Sequence, residues 1–350
     1  MAMTIVEPVS ARAVTGGVDT HLDVHVAAAL DDMGGLLGVE SFEASRAGND
    51  KLLDWLRSFG DVTQVGVEGT GSYGASLARS LRVARVKVVE VDRPNRQARR
   101  RTGKSDPADA VEAARAALSG RAQGAGKTRD GNVEAIRALV VAKRSARSTK
   151  IKSLNQIRHL GFTAPDELRD RLRGITRQQL GAAAAVLRPR AGGDPVMVAT
   201  KTAMRILGRR VLALDAEMTT LDARLADLVA ATAPDLLELH GVGVDTAATL
   251  LVAAGDNPGR LRSEAAWAHL CGVAPIQASS GKVTRWRLNR GGDRQANGAL
   301  WVVVITRMSS DPRTRAYVER RLEEGRSKPE IIRILKRYVA REVFHHLPRG

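Results

Sequence analysis

The chain of 350 residues contains a single cysteine, Cys271. A disulfide framework within the chain is therefore impossible, and a reducing cytoplasm is the expected setting. Aromatic residues make up only 3 % of the sequence and hydrophobic residues 43 %, so a packed core must rest on Ala, Val, Leu and Ile. Histidine and cysteine never occur together at zinc-ligand spacing, and no Walker-type glycine loop is present, which argues against structural zinc and ATP hydrolysis.

Long apolar runs are also missing, since no stretch approaches the length of a bilayer-spanning helix. The first residues, MAMTIVEPVSARAV, have no apolar core of the kind found in signal peptides. Acidic residues are outnumbered, 38 against 55 basic ones, which gives a net charge of +17 and an isoelectric point near 10.8. Such an excess favours a polyanionic partner, and without a membrane signal we expect nucleic acid, no membrane, and a cytoplasmic, nucleoid-associated location.

The N-terminal third alternates predicted strands and helices. Residues 17–30 predict a strand, and after the turn DDMGG residues 36–44 predict its antiparallel partner. Further along, the pattern predicts a helix capped by Asn49, then strand, helix and strand. This order predicts a mixed α/β sheet covered by helices.

Four acidic residues occupy positions on this frame that suit metal binding: Asp19, Glu68, Asp106 and Asp109. Asp19 lies in the first predicted strand, with Asp23 four residues later on the same side. Glu68 ends a later strand, and the two remaining acids lie three residues apart at a helix start, hence on one face. Converging carboxylates can bind two divalent ions about 4 Å apart, which stabilise the attacking and leaving oxygens of phosphodiester chemistry.

A plainer interpretation of the same acids stays open. Asp106 precedes Pro107 and is well suited to capping a helix, with Asp109 in the first turn. In this interpretation Asp19 is a turn residue at the end of its strand, and Glu68 is a residue exposed to solvent. His21 could contact a metal site, although the pattern favours an exposed strand histidine.

The middle of the chain is predicted to be helical and basic. The segment 93–104 holds six basic residues in twelve, which predicts either a phosphate-tracking segment or a solvated basic helix, and its candidate contacts are Arg99, Arg100, Arg101 and Lys104. A long helix is predicted over residues 131–159. After GGDP (192–195), apolar residues alternate at spacings of four and three, from Leu207 to Leu228, a heptad pattern. The pattern fits an intrachain helical hairpin or an intermolecular coiled coil, a stiff arm lying along nucleic acid.

Residues 234–256 predict two helices separated by Gly-Val-Gly. The glycines, Gly241 and Gly243, suit a helix-hairpin-helix, in which backbone amides approach a DNA phosphate without sequence preference. A plain helical hairpin fits this stretch equally well.

The segment IQASSGKVTRWRLNRGG (276–292) places two serines before a glycine and then a run of basic residues. Lys282, Arg285 and Arg287 are candidates to hold flanking phosphates, and Arg290 and Arg294 to contact RNA or DNA more loosely. Taken alone, the loop is a phosphate-binding turn or the carrier of a nucleophilic serine.

Seven segments resemble, in the right order, the DEDD transposases of insertion sequence 110-type elements. They are GVDTH (17–21), VEGTG (67–71), KSDPADA (104–110), HGVGVDTAATLLVAAGD (240–256), CGVAP (271–275), SSGK (279–282) and the closing segment around residues 316–325. The resemblance implies an α/β RNase H/RuvC-like domain, an all-α coiled-coil arm and a helical C-terminal transposase domain with a helix-hairpin-helix. The corresponding boundaries are a tail at 1–16 and domains at 17–125, 126–232 and 233–350.

The resemblance also implies a mechanism and partners. Asp19, Glu68, Asp106 and Asp109 would be the tetrad that binds Mg²⁺ or Mn²⁺, and Ser280 the nucleophile that forms a covalent 5′-phosphoserine link to DNA, with Ser279 as the alternative hydroxyl. Guidance by an element-encoded RNA and assembly as a dimer to tetramer are implied as well. Two other functions remain open: a metal-dependent RuvC-like junction nuclease that uses water, and a non-catalytic nucleic-acid-binding regulator.

Overall fold

The computed structural model describes residues 12–91, 105–122, 124–257 and 260–348. The chain divides into two compact units. One is built on the residues up to Gly131 together with Gly255–Arg262, and the other on Asn132–Ala254 and Ser263–Pro348. None of the described helices is long and apolar enough to cross a membrane.

The first unit is organised by a five-stranded sheet of order β3-β2-β1-β4-β5. Its strands are β1 (Ala13–Thr20), β2 (Val24–Leu30), β3 (Leu36–Glu43), β4 (Asp61–Glu68) and β5 (Lys87–Val91). The first three strands pair antiparallel, whereas β4 runs parallel to β1 and β5 parallel to β4. The predicted mixed α/β sheet is confirmed, with β1 as its central strand.

The single strand predicted over residues 17–30 is wrong, because this stretch folds back on itself. Strand β1 ends at Thr20 and β2 begins at Val24, with Thr20 opposite His25 in the ladder. Asp23 lies in the turn, where its carbonyl accepts a hydrogen bond from Ala44, so it does not share a strand face with Asp19. Both strands carry apolar residues, and an alternating pattern alone does not reveal the turn between them.

Among the described residues, the helices that cover this sheet are α1 (Arg46–Arg57), α2 (Ala75–Val83) and α3 (Asp106–Leu118). The cap of α1 is Ser45, whose hydroxyl accepts a hydrogen bond from the Gly48 amide at 3.1 Å. The predicted cap, Asn49, is instead buried inside the helix and donates to the Ser76 hydroxyl at 3.3 Å. Ser45 is the cap because a serine in extended backbone can accept a hydrogen bond from the exposed amides of the first turn.

The second unit contains the two long helices, α4 (Asn132–Phe162) and α7 (Pro195–Thr232), which pack against each other. The short helices α5 (Asp166–Leu172) and α6 (Arg177–Ala185) lie between them in sequence. The Lys143 ammonium on α4 pairs with Asp222 on α7, and Lys150 pairs with Asp215. The seven apolar residues of the heptad pattern, from Leu207 to Leu228, are all buried or half-buried. This burial is expected of an intrachain helical hairpin, one of the two arrangements that the spacing fits.

The remaining elements of this unit are helical except for one small hairpin. The helices are α8 (Pro234–Glu238), α9 (Val244–Ala254), α10 (Glu264–Leu270), α11 (Arg294–Ser310), α12 (Pro312–Glu323) and α13 (Lys328–His346). Between α10 and α11, β6 (Ile276–Gln277) pairs antiparallel with β7 (Trp286–Arg287).

Candidate metal centre and serine hairpin

Asp19 lies near the end of the central strand β1 and is buried, with 7 % of its surface exposed. His21, two residues later, places its Nε2 atom 3.2 Å from Asp19 Oδ2 and 3.5 Å from Asp106 Oδ2. The potential ligand atoms of these three residues all lie within 4.8 Å of one another. The fold therefore brings together an acid from the sheet, an acid from helix α3 and an imidazole.

Helix α3 reaches this point because two glycines let it lie directly on the sheet. A Cβ atom on Gly17 would come within 2.1 Å of the Ala114 nitrogen, and one on Gly66 within 2.4 Å of the Ala113 carbonyl oxygen. Side chains at either position would push the helix away from β1 and β4. The glycines thereby set the height at which Asp106 and Asp109 stand above Asp19.

The capping role considered for Asp106 is wrong. The N-cap of α3 is Ser105, in extended backbone, and Asp106 is the first helical residue with Pro107 after it. The Ser105 side chain makes no capping hydrogen bond. Because Asp106 is past the cap position, its half-exposed carboxylate is turned to His21 and the candidate metal centre.

Burial raises the pKa of the Asp19 carboxyl above its usual range. The neighbouring His21 opposes this shift, whereas the negative charges of Asp109 and Asp106 add to it. Asp109 is itself buried, with 5 % exposed. Asp106 and Asp109 thus both lie close enough to repel the Asp19 carboxylate, an arrangement that a cation would stabilise.

Glu68 is the last residue of β4, the parallel neighbour of β1. The register pairs Val18 with Val67, so the next residues along the two strands are Asp19 and Glu68. The Thr20 hydroxyl donates to the Glu68 carbonyl at 2.7 Å, which ties the two strand ends together. Glu68 is half-buried and lies at the same edge of the sheet as the other acids.

These residues fit a divalent metal. Carboxylate oxygens are the ligands preferred by Mg²⁺ and Mn²⁺, and an imidazole nitrogen is accepted by Mn²⁺ and the later transition metals. The close approach of Asp19 and Asp106, together with the partial exposure of Asp106 and His21, leaves the site open to an ion from solvent.

The two serines of the second unit lie on a tight hairpin that extends β6 and β7. Ser280 and Val283 exchange backbone hydrogen bonds of 3.2 and 3.1 Å, with Gly281 and Lys282 at the tip. Gly281 has a φ of +57°, a left-handed conformation that glycine adopts at little cost. Both serines are exposed.

The hydroxyls of the two serines differ in their hydrogen bonding. Ser279 Oγ accepts from the Arg285 amide at 3.1 Å and from Gln277 Nε2 at 3.2 Å, which ties it to the hairpin. Among the described residues, none forms a hydrogen bond with the Ser280 hydroxyl. Ser280 therefore presents a free hydroxyl beside the tip, and Ser279 holds the two strands of the hairpin together.

The register of the hairpin also separates its side chains. Ser280 pairs with Val283, and Gln277 with Trp286. Because side chains alternate between faces along a strand, Arg285 and Arg287 fall on the face of Ser280, and Trp286 on the opposite one. Lys282, Arg285 and Arg287 are exposed, so the hairpin that carries the free hydroxyl also presents three basic side chains to solvent.

The other predicted nucleic-acid contacts lie in different places. Arg290 is exposed after β7, and Arg294 is exposed as the first residue of α11. Gly241 and Gly243 lie in the turn between α8 and α9, where Gly241 has a φ of +81°. The predicted contacts Arg99, Arg100, Arg101 and Lys104 lie outside the described residues.

Three contributors to the acidic site were missed or undervalued from sequence: Gly17, Gly66 and His21. Each glycine lies among apolar residues of a strand, a position where glycine signals close backbone approach, and this signal was available. For His21 the sequence suggested a contact with the metal site but favoured an exposed strand histidine, because the contact with Asp106 joins positions 85 residues apart in the chain.

Two family models match the chain. Residues 16–160 match the DEDD transposase model of IS110-type elements, described as a transposase, and residues 233–319 match the transposase model of the IS116/IS110/IS902 family. The chain belongs to the IS110 family of transposases. Its acidic site lies within the first matched region, and its serine hairpin within the second.

Two relatives of this IS110-family chain are proteins of insertion elements. One is the IS110 uncharacterized 43.6 kDa protein of Streptomyces coelicolor, 31 % identical over 41 % of this chain and 36 % of the relative. The other is the IS900 uncharacterized 42 kDa protein of Mycobacterium paratuberculosis, 27 % identical over 39 % of this chain and 35 % of the relative. The chain thus spans about a third of the length of the relatives it matches.

Proposed function

We propose that this protein is an RNA-guided DNA transposase that cleaves and rejoins DNA through a covalent phosphoserine intermediate. Ser280 is the nucleophile, and Asp19, Glu68, Asp106 and Asp109 hold the divalent metal. The observation that carries the proposal is the serine hairpin, in which a hydroxyl without a hydrogen bond from any described residue lies among exposed basic side chains. Membership of the IS110 family gives the reaction class.

The chemistry proceeds without an external energy source. The Ser280 oxygen attacks the scissile phosphorus, a serine–phosphate ester bond forms, and the bond from phosphorus to the 3′ oxygen breaks. The leaving strand ends in a 3′-hydroxyl, which takes up the proton that serine releases. Because one phosphate diester replaces another, a 3′-hydroxyl can attack the phosphoserine and rejoin a strand without ATP.

The residues of the chain have separate tasks in this reaction. Lys282, Arg285 and Arg287 hold the phosphates that flank the scissile bond. A divalent ion in the acidic site would supply the positive charge that neutralises the scissile phosphate and activates the attacking hydroxyl. Since the tetrad and Ser280 belong to different units, we propose that they meet between subunits of a dimer or tetramer.

The proposal extends to the domain arrangement and to the nucleic-acid partners. We assign residues 17–125 to an RNase H/RuvC-like domain after the tail 1–16, residues 126–232 to a coiled-coil arm and residues 233–350 to the transposase domain. The turn at Gly241 and Gly243 serves as a helix-hairpin-helix that contacts DNA phosphates. The basic surface accommodates element DNA, target DNA and a guide RNA.

The test is a search for a protein–DNA adduct. The full-length protein is incubated with labelled element-end DNA, its RNA and Mg²⁺, and the products are separated under denaturing conditions. We expect a labelled adduct that Ser280→Ala abolishes. Ser279→Ala is the matched control, and it should retain the adduct, because Ser279 only braces the hairpin.

The other outcomes identify competing functions. Cleavage that persists without an adduct in Ser280→Ala indicates a junction nuclease that uses water. Binding without cleavage under Mg²⁺ or Mn²⁺ indicates a non-catalytic regulator. An adduct lost only in Ser279→Ala shows that the other serine is the nucleophile. Adduct formation that is unchanged when RNA is omitted contradicts RNA guidance.

A further inference from the structure

We infer that His21 is a ligand of the divalent metal ion, so that the ion is bound by an imidazole nitrogen together with the carboxylates of Asp19 and Asp106. This inference rests on the part of the proposed function that assigns a metal to the acidic site. His21 is not one of the four acids that the family resemblance implies, and its role follows from its position in this fold.

The spacing of the donor atoms supports direct ligation. In an octahedral site, ligand atoms about 2.1 Å from the metal and adjacent to each other lie about 3.0 Å apart. His21 Nε2 lies 3.2 Å from Asp19 Oδ2 and 3.5 Å from Asp106 Oδ2. Both distances from His21 are within about half an ångström of that spacing, and the potential ligand atoms of the three residues all lie within 4.8 Å of one another.

The backbone holds His21 at this position. His21 directly follows β1, whose last ladder pair is Thr20 with His25. The Thr20 side chain is bonded to the Glu68 carbonyl at 2.7 Å, which anchors the end of the strand. The His21 side chain is 43 % exposed and that of Asp19 is 10 % exposed, so one ligand faces solvent and the other lies deep, with room for an ion to enter.

A second histidine lies close to the end of β1. His25 pairs with Thr20 in the ladder and is 1 % exposed, and its Nδ1 atom forms no hydrogen bond with any described residue. His25 is therefore the other imidazole in this part of the sheet, and the variants of His21 distinguish between the two.

Ligation by His21 has a consequence for metal preference. Imidazole binds Mn²⁺ and Co²⁺ better than Mg²⁺, which prefers oxygen ligands and keeps several waters. Removing His21 should weaken Mn²⁺ binding by at least about tenfold, because even the loss of an outer-shell partner of a metal ligand typically costs roughly 10–100-fold in affinity. Mg²⁺ binding should change less, so the preference for Mn²⁺ over Mg²⁺ falls.

The decisive experiment is pulsed electron paramagnetic resonance of Mn²⁺ bound to the full-length protein without nucleic acid. We expect modulation from a directly bound ¹⁴N nucleus, which changes to the ¹⁵N pattern when the protein is made with ¹⁵N-labelled histidine. The signal should disappear in His21→Ala and in His21→Gln, and persist in His159→Ala, which removes an exposed histidine on α4. A thermal melt of each variant verifies that it is folded.

Several results would overturn the inference. Bound Mn²⁺ without nitrogen modulation shows that oxygens alone hold the ion, and modulation that survives both His21 variants assigns it to another histidine. Failure of the unmodified protein to bind Mn²⁺ removes this inference together with the proposed metal site. The adduct assay reports separately: an adduct at Ser280 with no nitrogen ligand leaves the proposed function standing and rejects only the role of His21.

Discussion

Replacing Gly17 by alanine should damage the acidic site without altering any of its polar residues. An alanine Cβ at this position would lie 2.1 Å from the Ala114 nitrogen and 2.3 Å from the Ala110 carbonyl oxygen. Both are backbone atoms of α3, so no side-chain rotation relieves the contact, and the helix must move away from β1. That movement lifts Asp106 and Asp109 away from Asp19.

The expected loss of folding free energy depends on which atoms the new Cβ would contact. Overpacking a core typically costs about 1–3 kcal/mol, and contact with helix backbone belongs at the upper end of that range. A loss of about 3 kcal/mol lowers the melting temperature of a unit of this size by roughly 10 °C. If the alanine Cβ fitted beside α3 without contact, the substitution would instead stabilise the protein, because a glycine-to-alanine change at ordinary φ stabilises the folded state by about 0.4–1 kcal/mol.

Gly16→Ala is the matched control on the opposite face of the same strand. Its Cβ would meet the Leu56 Cδ1 atom at 2.9 Å and the Val65 Cγ2 atom at 3.1 Å, side-chain ends that can shift. We expect its melting temperature to fall far less than that of Gly17→Ala, and its Mn²⁺ affinity to stay unchanged. Two variants that melt within about 3 °C of each other and bind Mn²⁺ equally would refute the role assigned to Gly17.

Three further predictions test the charges and the packing. The raised pKa of Asp19 means that the folded state binds this proton more tightly than the unfolded state does. Stability is therefore lost as pH rises through the pKa of the folded state. Asp19→Asn should stabilise the metal-free protein at neutral pH and not at pH 3, as measured by denaturant unfolding. Cys271 is fully buried and its pKa is raised, chiefly by burial, so a thiol reagent at pH 8 should label it only in denaturant, and rapid native labelling would contradict the packing of α10 against its neighbours. Neutralising Arg285 and Arg287 should weaken DNA binding evenly across sequences and flatten the salt slope by about 1 for each phosphate that is no longer neutralised, and altered sequence preference would instead show that they read bases.

The local patterns of the sequence predicted the long helices and the turn at DDMGG, and they missed one turn and one helix start. The helix predicted over residues 131–159 and the helix indicated by the heptad pattern after residue 195 correspond closely to α4 and α7, because amphipathic periodicity over many residues averages out local exceptions. The strand predicted over residues 17–30 and the cap at Asn49 were wrong. Each of these predictions depended on where one helix or strand begins or ends. Such a boundary is decided by the nearby group that best satisfies the hydrogen bonds of the backbone, and at the start of α1 that group is Ser45 and not Asn49.

The sequence by itself determined the basic character of the protein, the mixed α/β and helical composition, and the family motifs that carry the acids and the serines. Only the tertiary structure decided which of these groups meet. Asp19, His21 and Asp106 converge because Gly17 and Gly66 let α3 lie on the sheet. Ser279 and Ser280 differ because, among the described residues, only the Ser279 hydroxyl is hydrogen-bonded across the hairpin. Such contacts join residues distant in the chain or on opposite strands, and their distances depend on how closely packed backbones approach each other.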